Sequence, residues 1–219
     1  VFFSGCTLRC CFCQNSLLSK DHFGKKLTVN ELGDAFLRLQ DKGAYNINLV
    51  TPTQFFPDII KALDLVRHKL HIPVVGYERP EIISQLKDYI NIWLPDFKYF
   101  DNELAFRYSK AKDYFEQASA SIAQMIHQTG APEYTLHPSS VPGRPDFPLM
   151  TKGVIIRHMV LPGHKDDSIR LLYWIHQHFP EHSYLISLLS QYTPYTKNPD
   201  YPQLNRRITS YEYNKVVDT

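Results

Sequence analysis

Three cysteines near the start of the chain have a spacing that suits an iron–sulfur cluster. Cys6, Cys10 and Cys13 form the pattern C-x3-C-x2-C, and an aromatic residue, Phe12, precedes the last of them. Cysteine thiolates hold iron–sulfur clusters, usually four to a cluster. Three thiolates on a cubane [4Fe–4S] cluster leave one iron without a protein ligand, so that a substrate or a cofactor can bind there. The spacing therefore predicts a reactive cluster rather than a purely structural one.

Two other uses of these cysteines fit the spacing less well. A structural zinc ion takes four nitrogen or sulfur ligands, but the remaining cysteine, Cys11, is adjacent to Cys10 and poorly placed to share one tetrahedral ion. A histidine such as His22 could complete a zinc site, so zinc stays open as an alternative. Disulfides are disfavoured because cysteines packed this closely have poor bridge geometry. We expect Cys11 to be a small buried apolar residue.

The cysteine loop resembles the signature of the radical S-adenosylmethionine enzymes, C-x3-C-x-aromatic-C. Residues 2–5, which read Phe-Phe-Ser-Gly, and the pair Gln14 and Asn15 are similar to the flanks found in activating enzymes of the pyruvate formate-lyase type. The resemblance runs along nearly the whole chain. It implies a [4Fe–4S] cluster and S-adenosyl-L-methionine as cofactors, with the three cysteines as ligands. It also implies a glycyl-radical protein as substrate and a flavodoxin- or ferredoxin-type electron donor.

The segments that must position these residues alternate between strands and helices. Short apolar runs predict strands at 1–3, 47–50, 74–75, 92–94, 154–160 and 184–189, and helical periodicity fills most of the intervals between them. Such alternation gives a parallel sheet. Six units predict an α/β fold, a partial (β/α)6 TIM-like barrel, which the resemblance also implies. We expect residues 1–219 to form one domain, truncated at both ends, with a proline-rich loop or lid at 130–150.

Further candidates follow the fourth and fifth predicted strands. Active sites of parallel α/β barrels lie at the C-terminal ends of the strands, and the cysteine loop follows the first strand. Asp96 and Lys98 follow the fourth strand, while Arg157 and Val160 belong to the fifth. The resemblance implies that Asp96 helps to hold a cation beside the carboxylate of the cofactor and that Lys98 reaches the cofactor. Arg157 would anchor a carboxylate, and Val160 would pack against the adenine.

The remaining candidates are single residues at the ends of other strands. Phe12 either lies near the adenine or belongs to the core, and by resemblance Tyr192, after the sixth strand, supplies a polar contact. Asn15 either hydrogen-bonds near the cluster or caps the next turn. Thr51 and Thr53 stand where many relatives carry Gly-Gly-Glu to bind the amino group of the cofactor. Their hydroxyls and carbonyls offer polar contacts to that group but no carboxylate.

The composition is that of an ordinary globular protein and excludes several classes. Hydrophobic residues make up 43% of the chain, charged residues 21%, and the net charge is +2. This charge does not indicate a nucleic-acid partner, and no apolar stretch reaches the roughly 18 residues of a membrane span. We expect a cytoplasmic location, where reducing conditions preserve thiols and clusters. Two hypotheses stay open beside an activating enzyme for a glycyl-radical protein. One is a metal-binding relic of the fold that has lost catalysis, and the other is a radical enzyme that modifies a small molecule or RNA.

Overall fold

Strands and helices alternate along the chain in a computed structural model that describes residues 1–19, 23–76, 80–139, 142–195 and 197–219. The strands are β1 (Ile47–Asn48), β2 (Val74–Gly76), β3 (Ile92–Trp93), β4 (Glu133–His137), β5 (Phe147–Met159) and β6 (Leu185–Leu189). The helices are α1 (Ser16–Ser19), α2 (Val29–Asp41), α3 (Phe56–Val66), α4 (Pro80–Ile83), α5 (Asn102–Ser109), α6 (Tyr114–Thr129), α7 (Lys165–His178) and α8 (Ser210–Val217). Short 3-10 turns cover Thr53–Phe55, Ser84–Leu86 and Pro202–Asn205.

The central element is a parallel sheet with the strand order β1-β2-β3-β5-β6. The predicted first strand is a single bridge that extends this sheet. Phe2 pairs in parallel with Val50, and the amide of Phe3 donates to the Val50 carbonyl at 2.9 Å. The two outer segments, residues 1–3 and β6, do not pair with each other in the described ranges. The sheet is therefore the open, six-segment α/β barrel that the alternation predicted.

The core lies between this sheet and the helices that cover it. Trp93 on β3 and Ile156 on β5 are fully buried, as are Phe36 on α2, Ile59 on α3 and Leu171 on α7. These residues belong to one continuous apolar cluster, whose removal from water is the main favourable contribution to folding. Among the described residues, no helix combines the length and the apolar character that crossing a bilayer requires.

Local sequence signals set the starts of several helices. At α2 the Thr28 hydroxyl accepts from the Glu31 amide at 3.2 Å, while the Glu31 carboxylate accepts from the Thr28 amide at 2.8 Å. Thr209 and Glu212 form the same reciprocal pair at α8, and Pro80 opens α4. Reciprocal capping pairs and a proline in the first turn are local residue patterns that favour helix starts.

Helix α5 was not predicted, because it is short and its apolar residues show no clear helical period. It begins after Asp101, whose carboxylate accepts from the Glu103 amide at 2.7 Å. It ends at Lys110, which has a left-handed backbone with φ of 56°. Only three of its residues are buried, namely Ala105, Tyr108 and Ser109. Two of these lie beside the cysteine loop, so the helix belongs to the candidate site.

The segment 130–150 is largely a β-hairpin, which corrects the prediction of an aperiodic loop. Strand β4 pairs antiparallel with the first part of β5, from Glu133 opposite Lys152 to His137 opposite Phe147. Four of the five β4 residues are exposed, so the strand lacks the apolar alternation that marks a half-buried strand. The hairpin precedes Gly153, where β5 first pairs with β3, and so extends from the N-terminal edge of the sheet. That position does not support a lid over the cysteine loop.

Gly153 is a position where a side chain should strongly destabilise the fold. Its φ of 135° is rarely adopted by other residues, and a Cβ there would overlap the Met150 side chain and lie 2.9 Å from the Pro132 Cα. We expect Gly153→Ala to lower the free energy of unfolding by about 2–6 kcal/mol, because backbone strain and overpacking each cost roughly 1–3 kcal/mol. Urea unfolding measures this loss.

Gly130→Ala is the matched control for this substitution. Gly130 also has a positive φ, of 76°, but a Cβ there would meet nothing within 4 Å. The control isolates backbone strain and should cost about 1 kcal/mol. Equal losses in the two variants would show that the packing around Gly153 is not tight.

Candidate active site

The cysteine loop leaves the sheet directly after the bridge at residues 1–3, at the C-terminal edge. Its three predicted ligands, Cys6, Cys10 and Cys13, are half-buried, and within the described chain they form no disulfide. Gly5, with φ of 92°, turns the chain into the loop, and its amide donates to the Leu18 carbonyl at 2.9 Å. The Cys13 amide donates to the Cys10 carbonyl at 3.3 Å. A tight turn therefore presents the second and third thiols together.

The end of α5 fixes the backbone of this loop. The Arg9 amide donates to the Ser109 carbonyl at 3.0 Å, and the Cys11 amide donates to the Tyr108 carbonyl at 2.7 Å. These carbonyls lie at the end of a helix, where they have no partner within the helix itself. The contacts tie both neighbours of Cys10 to the end of α5, although the cysteine loop and α5 are nearly a hundred residues apart in sequence. Sequence reasoning missed α5 and with it this support.

The three thiols are close enough to influence one another. The pKa of the Cys10 thiol is raised, and burial is the largest cause. The nearby Cys13 and Cys6 thiols raise it further, whereas the Lys98 ammonium and the Ser109 hydroxyl lower it. Among the described residues, which exclude His22, no three His, Cys, Asp or Glu side chains are arranged around a single metal ion. In a cubane cluster each thiolate binds a separate iron atom. The donor set, three thiols in one loop, fits such a cluster with one open iron.

Asp96, Lys98 and Arg157 form one ionic group at the C-terminal ends of β3 and β5. Arg157 Nη2 lies 2.7 Å from Asp96 Oδ1, and Lys98 Nζ donates to Asp96 Oδ2 at 2.6 Å. Asp96 and Arg157 also form a parallel backbone bridge. Each of these side chains keeps between a fifth and a third of its surface exposed. The structure thus brings Arg157 together with Asp96 and Lys98, which the sequence places on a different strand end.

The ionic group carries an excess of positive charge. Burial tends to raise the pKa of Asp96, but the adjacent Lys98 and Arg157 charges outweigh it and hold that pKa below its usual value. The carboxylate therefore stays ionised and balances only one of the two cations. In the part of the chain that the structure describes, the buried Arg157 Nε has no hydrogen-bond partner. The group can accept a further anion such as an amino-acid carboxylate.

Two buried side chains hold the segment that carries Asp96 and Lys98. The Tyr114 hydroxyl donates to the Asp96 carbonyl at 2.7 Å and accepts from the Lys98 amide at 3.0 Å. His158 Nδ1 lies 2.7 Å from the Phe97 carbonyl between them. Since a carbonyl can only accept, Nδ1 carries the proton, and burial lowers the pKa of His158 to about 4, which keeps it neutral. His158 is thus a structural histidine, and both of its ring nitrogens have hydrogen-bond partners.

Phe12 and Tyr192 come together at the rim of the site. Their rings meet edge to face, with centroids 5.9 Å apart. Tyr192 is buried, and its hydroxyl donates to the Leu204 carbonyl at 2.8 Å. Burial raises its pKa to about 12, so the phenol stays neutral. The phenol of Tyr192 thus already has a partner in the fold.

Val160, just after β5, is fully buried, and its amide donates to the Leu189 carbonyl at 3.1 Å.

The other candidates have local roles in the structure. Thr51 has a positive φ of 55°, and its hydroxyl lies 2.7 Å from the carbonyls of both Phe3 and Val50. It thereby ties the first segment to β1. Thr53 begins the 3-10 turn that follows. Asn15 is exposed, and its carbonyl accepts from two amides of α1. The backbone of Asn15 thus starts a helical turn, and the role of its side chain stays a prediction.

Comparison with solved structures identifies the fold. SuiB of Streptococcus suis, solved with bound S-adenosylmethionine, matches with a TM-score of 0.61 and 11% identity over 100% of this chain and 45% of SuiB. Methylornithine synthase (PylB) matches with a TM-score of 0.61 and 11% identity over 99% of this chain and 60% of its own. The enzyme anSMEcpe with bound AdoMet matches with a TM-score of 0.59 and 12% identity over 98% of this chain and 56% of its own. The chain has the radical S-adenosylmethionine fold.

Comparison with other sequences finds a relative that covers the whole of this chain. An uncharacterized protein of Methanocaldococcus jannaschii is 28% identical over 232 residues, which cover 100% of this chain. The chain spans 60% of the length of that relative. No protein-family model matches the chain. The radical S-adenosylmethionine fold is thus established by structural similarity, and the activity is inferred from the site.

Proposed function

We propose that this chain binds a [4Fe–4S] cluster and cleaves S-adenosyl-L-methionine reductively. One observation carries the proposal: the thiols of the cysteine loop and the cationic group around Asp96 lie at one edge of a radical S-adenosylmethionine fold. Lys98 is close enough to lower the pKa of Cys10, which links the two groups. A bound cluster would supply the electron for this cleavage of the sulfonium, a reaction that yields methionine and a 5′-deoxyadenosyl group.

The residues of the chain divide the binding of the two cofactors. Cys6, Cys10 and Cys13 hold three irons of the cluster. Arg157 and Lys98 receive the carboxylate of S-adenosyl-L-methionine, because their joint charge exceeds that of Asp96. The remaining candidates are proposed to contact the adenosyl and amino groups of S-adenosyl-L-methionine, with roles assigned by resemblance. They are Phe12, Asn15, Thr51, Thr53, Val160 and Tyr192. Of these, Thr51 and Tyr192 contribute through backbone or ring, since their hydroxyls already lie against carbonyls of the fold.

Metal analysis of anaerobically reconstituted protein tests the binding of the cluster. We expect about four irons and four sulfides per chain, and binding of S-adenosyl-L-methionine that depends on them. A chain that takes up one zinc ion and no sulfide would contradict the proposal and favour a metal-binding relic of the fold.

The substrate that we propose is a glycyl-radical protein, and the reaction is expected in the cytoplasm. The flanks of the cysteine loop, residues 2–5 and the pair Gln14 and Asn15, support this subtype. The open barrel supports it as well, because hydrogen abstraction requires the glycine carbon within about 3–3.5 Å of the radical. SuiB, which shares this fold, has been solved bound to its precursor peptide SuiA, and this supports a polypeptide substrate.

Electron paramagnetic resonance distinguishes a glycyl-radical substrate from the alternatives. The chain is mixed with the candidate glycyl-radical enzymes of its own organism, S-adenosyl-L-methionine and reductant. A glycine-centred doublet is expected. Cofactor cleavage without any doublet would favour a radical enzyme that modifies a small molecule or RNA.

The electron donor, of flavodoxin or ferredoxin type, is proposed to approach at the end of α5. Lys110 and Lys112 lie 5.6 and 6.0 Å from the ring of the exposed Phe106. Lys110 follows Ser109, whose hydroxyl contacts the sulfur of Cys10. Basic side chains around an exposed aromatic ring suit a donor with an acidic surface, and complementary charge mainly speeds association.

Reversing the charge at this surface should slow reduction by the protein donor. We expect the double variant Lys110→Glu and Lys112→Glu to lower the reduction rate with flavodoxin about tenfold at low salt, because electrostatic steering changes on-rates by roughly 10- to 1000-fold. Stopped-flow absorbance measures the rate. Lys61→Glu, on the exposed surface of α3, is the control, and dithionite should reduce all three proteins equally. A double variant that reacts with flavodoxin as fast as the control would exclude this surface.

A further inference from the structure

A chain of buried hydrogen bonds reaches the sulfur of Cys10 from α5. The Ser109 hydroxyl donates to Cys10 Sγ at 3.0 Å, and the Tyr99 hydroxyl lies 2.7 Å from the Ser109 oxygen. Tyr99 and Ser109 are each only 1% exposed. Neither belongs to the ionic group around Asp96, and the proposed function gives neither a role. The position of these two hydroxyls next to one cluster ligand therefore calls for its own explanation.

The direction of these hydrogen bonds follows from the chemistry of the three groups. A Cys10 thiolate that binds iron can only accept, so the single proton of the Ser109 hydroxyl then points to Cys10 Sγ. The Ser109 oxygen must then accept from the Tyr99 hydroxyl. Burial keeps this phenol protonated, because it raises the pKa of Tyr99 well above its usual value. The result is a fixed relay in which Tyr99 orients Ser109 and Ser109 donates to the sulfur.

We propose that Ser109 raises the reduction potential of the cluster and that Tyr99 is the positioning residue for Ser109. The proposal rests on the function proposed above, since it requires a cluster on Cys10. Reduction by one electron from the donor adds one negative charge to the cluster and its thiolates. A hydrogen bond to a ligand sulfur stabilises that added charge more than it stabilises the oxidised form. Hydrogen bonds to the sulfurs are among the factors that set cluster potentials.

The local structure explains why the effect should be strong at Cys10. Ser109 is the last residue of α5, and the carbonyls of Tyr108 and Ser109 hold the amides on both sides of Cys10. These backbone contacts keep Ser109 beside Cys10, and the Tyr99 hydroxyl holds the Ser109 side chain in the orientation that reaches the sulfur. Water competes poorly at this point because both hydroxyls are buried, and a hydrogen bond counts for more where the local dielectric is low.

The midpoint potential of the reconstituted protein tests the proposal. Ser109→Ala should make reduction about tenfold less favourable, which equals about 59 mV for one electron. Tyr99→Phe, which keeps the packing and removes only the phenol oxygen, should shift the potential in the same direction by a smaller amount. Ser121→Ala is the control, because the buried Ser121 hydroxyl donates to the Gln117 carbonyl of its own helix at 2.8 Å. A redox titration followed by electron paramagnetic resonance measures all three.

The outcomes separate this proposal from the proposed function. Iron content equal to that of the unaltered chain, with a lower potential in Ser109→Ala and Tyr99→Phe, supports the relay. Full iron content with unchanged potentials in both variants overturns the relay and leaves the proposed function intact. If Ser109→Ala fails to fold, the shift in Tyr99→Phe decides alone. Failure of the unaltered chain to take up iron and sulfide overturns both.

Discussion

Replacing Cys6, Cys10 or Cys13 with alanine should abolish the iron–sulfur cluster, whereas Cys11→Ala should retain it. Each of the three thiols is expected to hold a different iron. Clusters are usually held by four thiolates, so the proposed site is already one short, and losing a second ligand should prevent the cluster from binding. We expect the iron content to fall from about four per chain to near zero in each of the three variants. Iron and sulfide analysis, together with the visible absorbance of the protein, measures this loss.

Cys11→Ala is a matched control because it changes the same loop without removing a predicted ligand. The Cys11 amide donates to the Tyr108 carbonyl at 2.7 Å, and alanine keeps that amide. Loss of iron in Cys11→Ala to the same extent as in Cys10→Ala would contradict the ligand assignment and return a four-cysteine metal site to consideration.

Removing the charge of Arg157 should weaken the binding of S-adenosyl-L-methionine by about 10- to 150-fold. Hydrogen bonds to charged groups contribute about 1.5–3 kcal/mol, and each 1.4 kcal/mol is about tenfold in affinity. In Arg157→Gln the Asp96 carboxylate still accepts from Lys98 at 2.6 Å, so the ionic group loses its excess positive charge and not its whole structure. Isothermal titration of the iron-loaded protein measures the affinity.

Lys152→Gln controls for the loss of a positive charge on the same strand. Lys152 lies on β5 within the hairpin, and its ammonium pairs with Glu133 at 2.9 Å. Its removal should leave the affinity for S-adenosyl-L-methionine unchanged and the iron content intact. Equal affinities in Arg157→Gln and Lys152→Gln would mean that Arg157 only joins β5 to Asp96.

The barrel could be predicted from the sequence because its signals are local. Apolar runs such as 47–50 mark buried parallel strands, and the pair Thr28 and Glu31 marks a helix start within four residues of chain. The cysteine spacing is equally local. The hairpin at 130–150 was missed because prolines and an exposed edge strand hide the two-residue period that a half-buried strand would show.

The supporting contacts of the site could not be predicted, because they join residues far apart in sequence. Ser109 and Cys10 are separated by 99 positions, and Phe97 and His158 by 61. Asp96, Lys98 and Arg157 could be predicted as candidates from resemblance, but their pairing depends on the register between β3 and β5. That register emerges only when the whole sheet forms, since no local pattern in either strand specifies its partner.

Formation of 5′-deoxyadenosine is the measurement that tests the central claim most directly. The reconstituted chain is incubated without oxygen with S-adenosyl-L-methionine and dithionite, and the products are separated by liquid chromatography. We expect methionine and 5′-deoxyadenosine in equal amounts, and neither from Cys10→Ala. A chain that carries about four irons and binds S-adenosyl-L-methionine, yet forms no 5′-deoxyadenosine under these conditions, would contradict the proposed reaction.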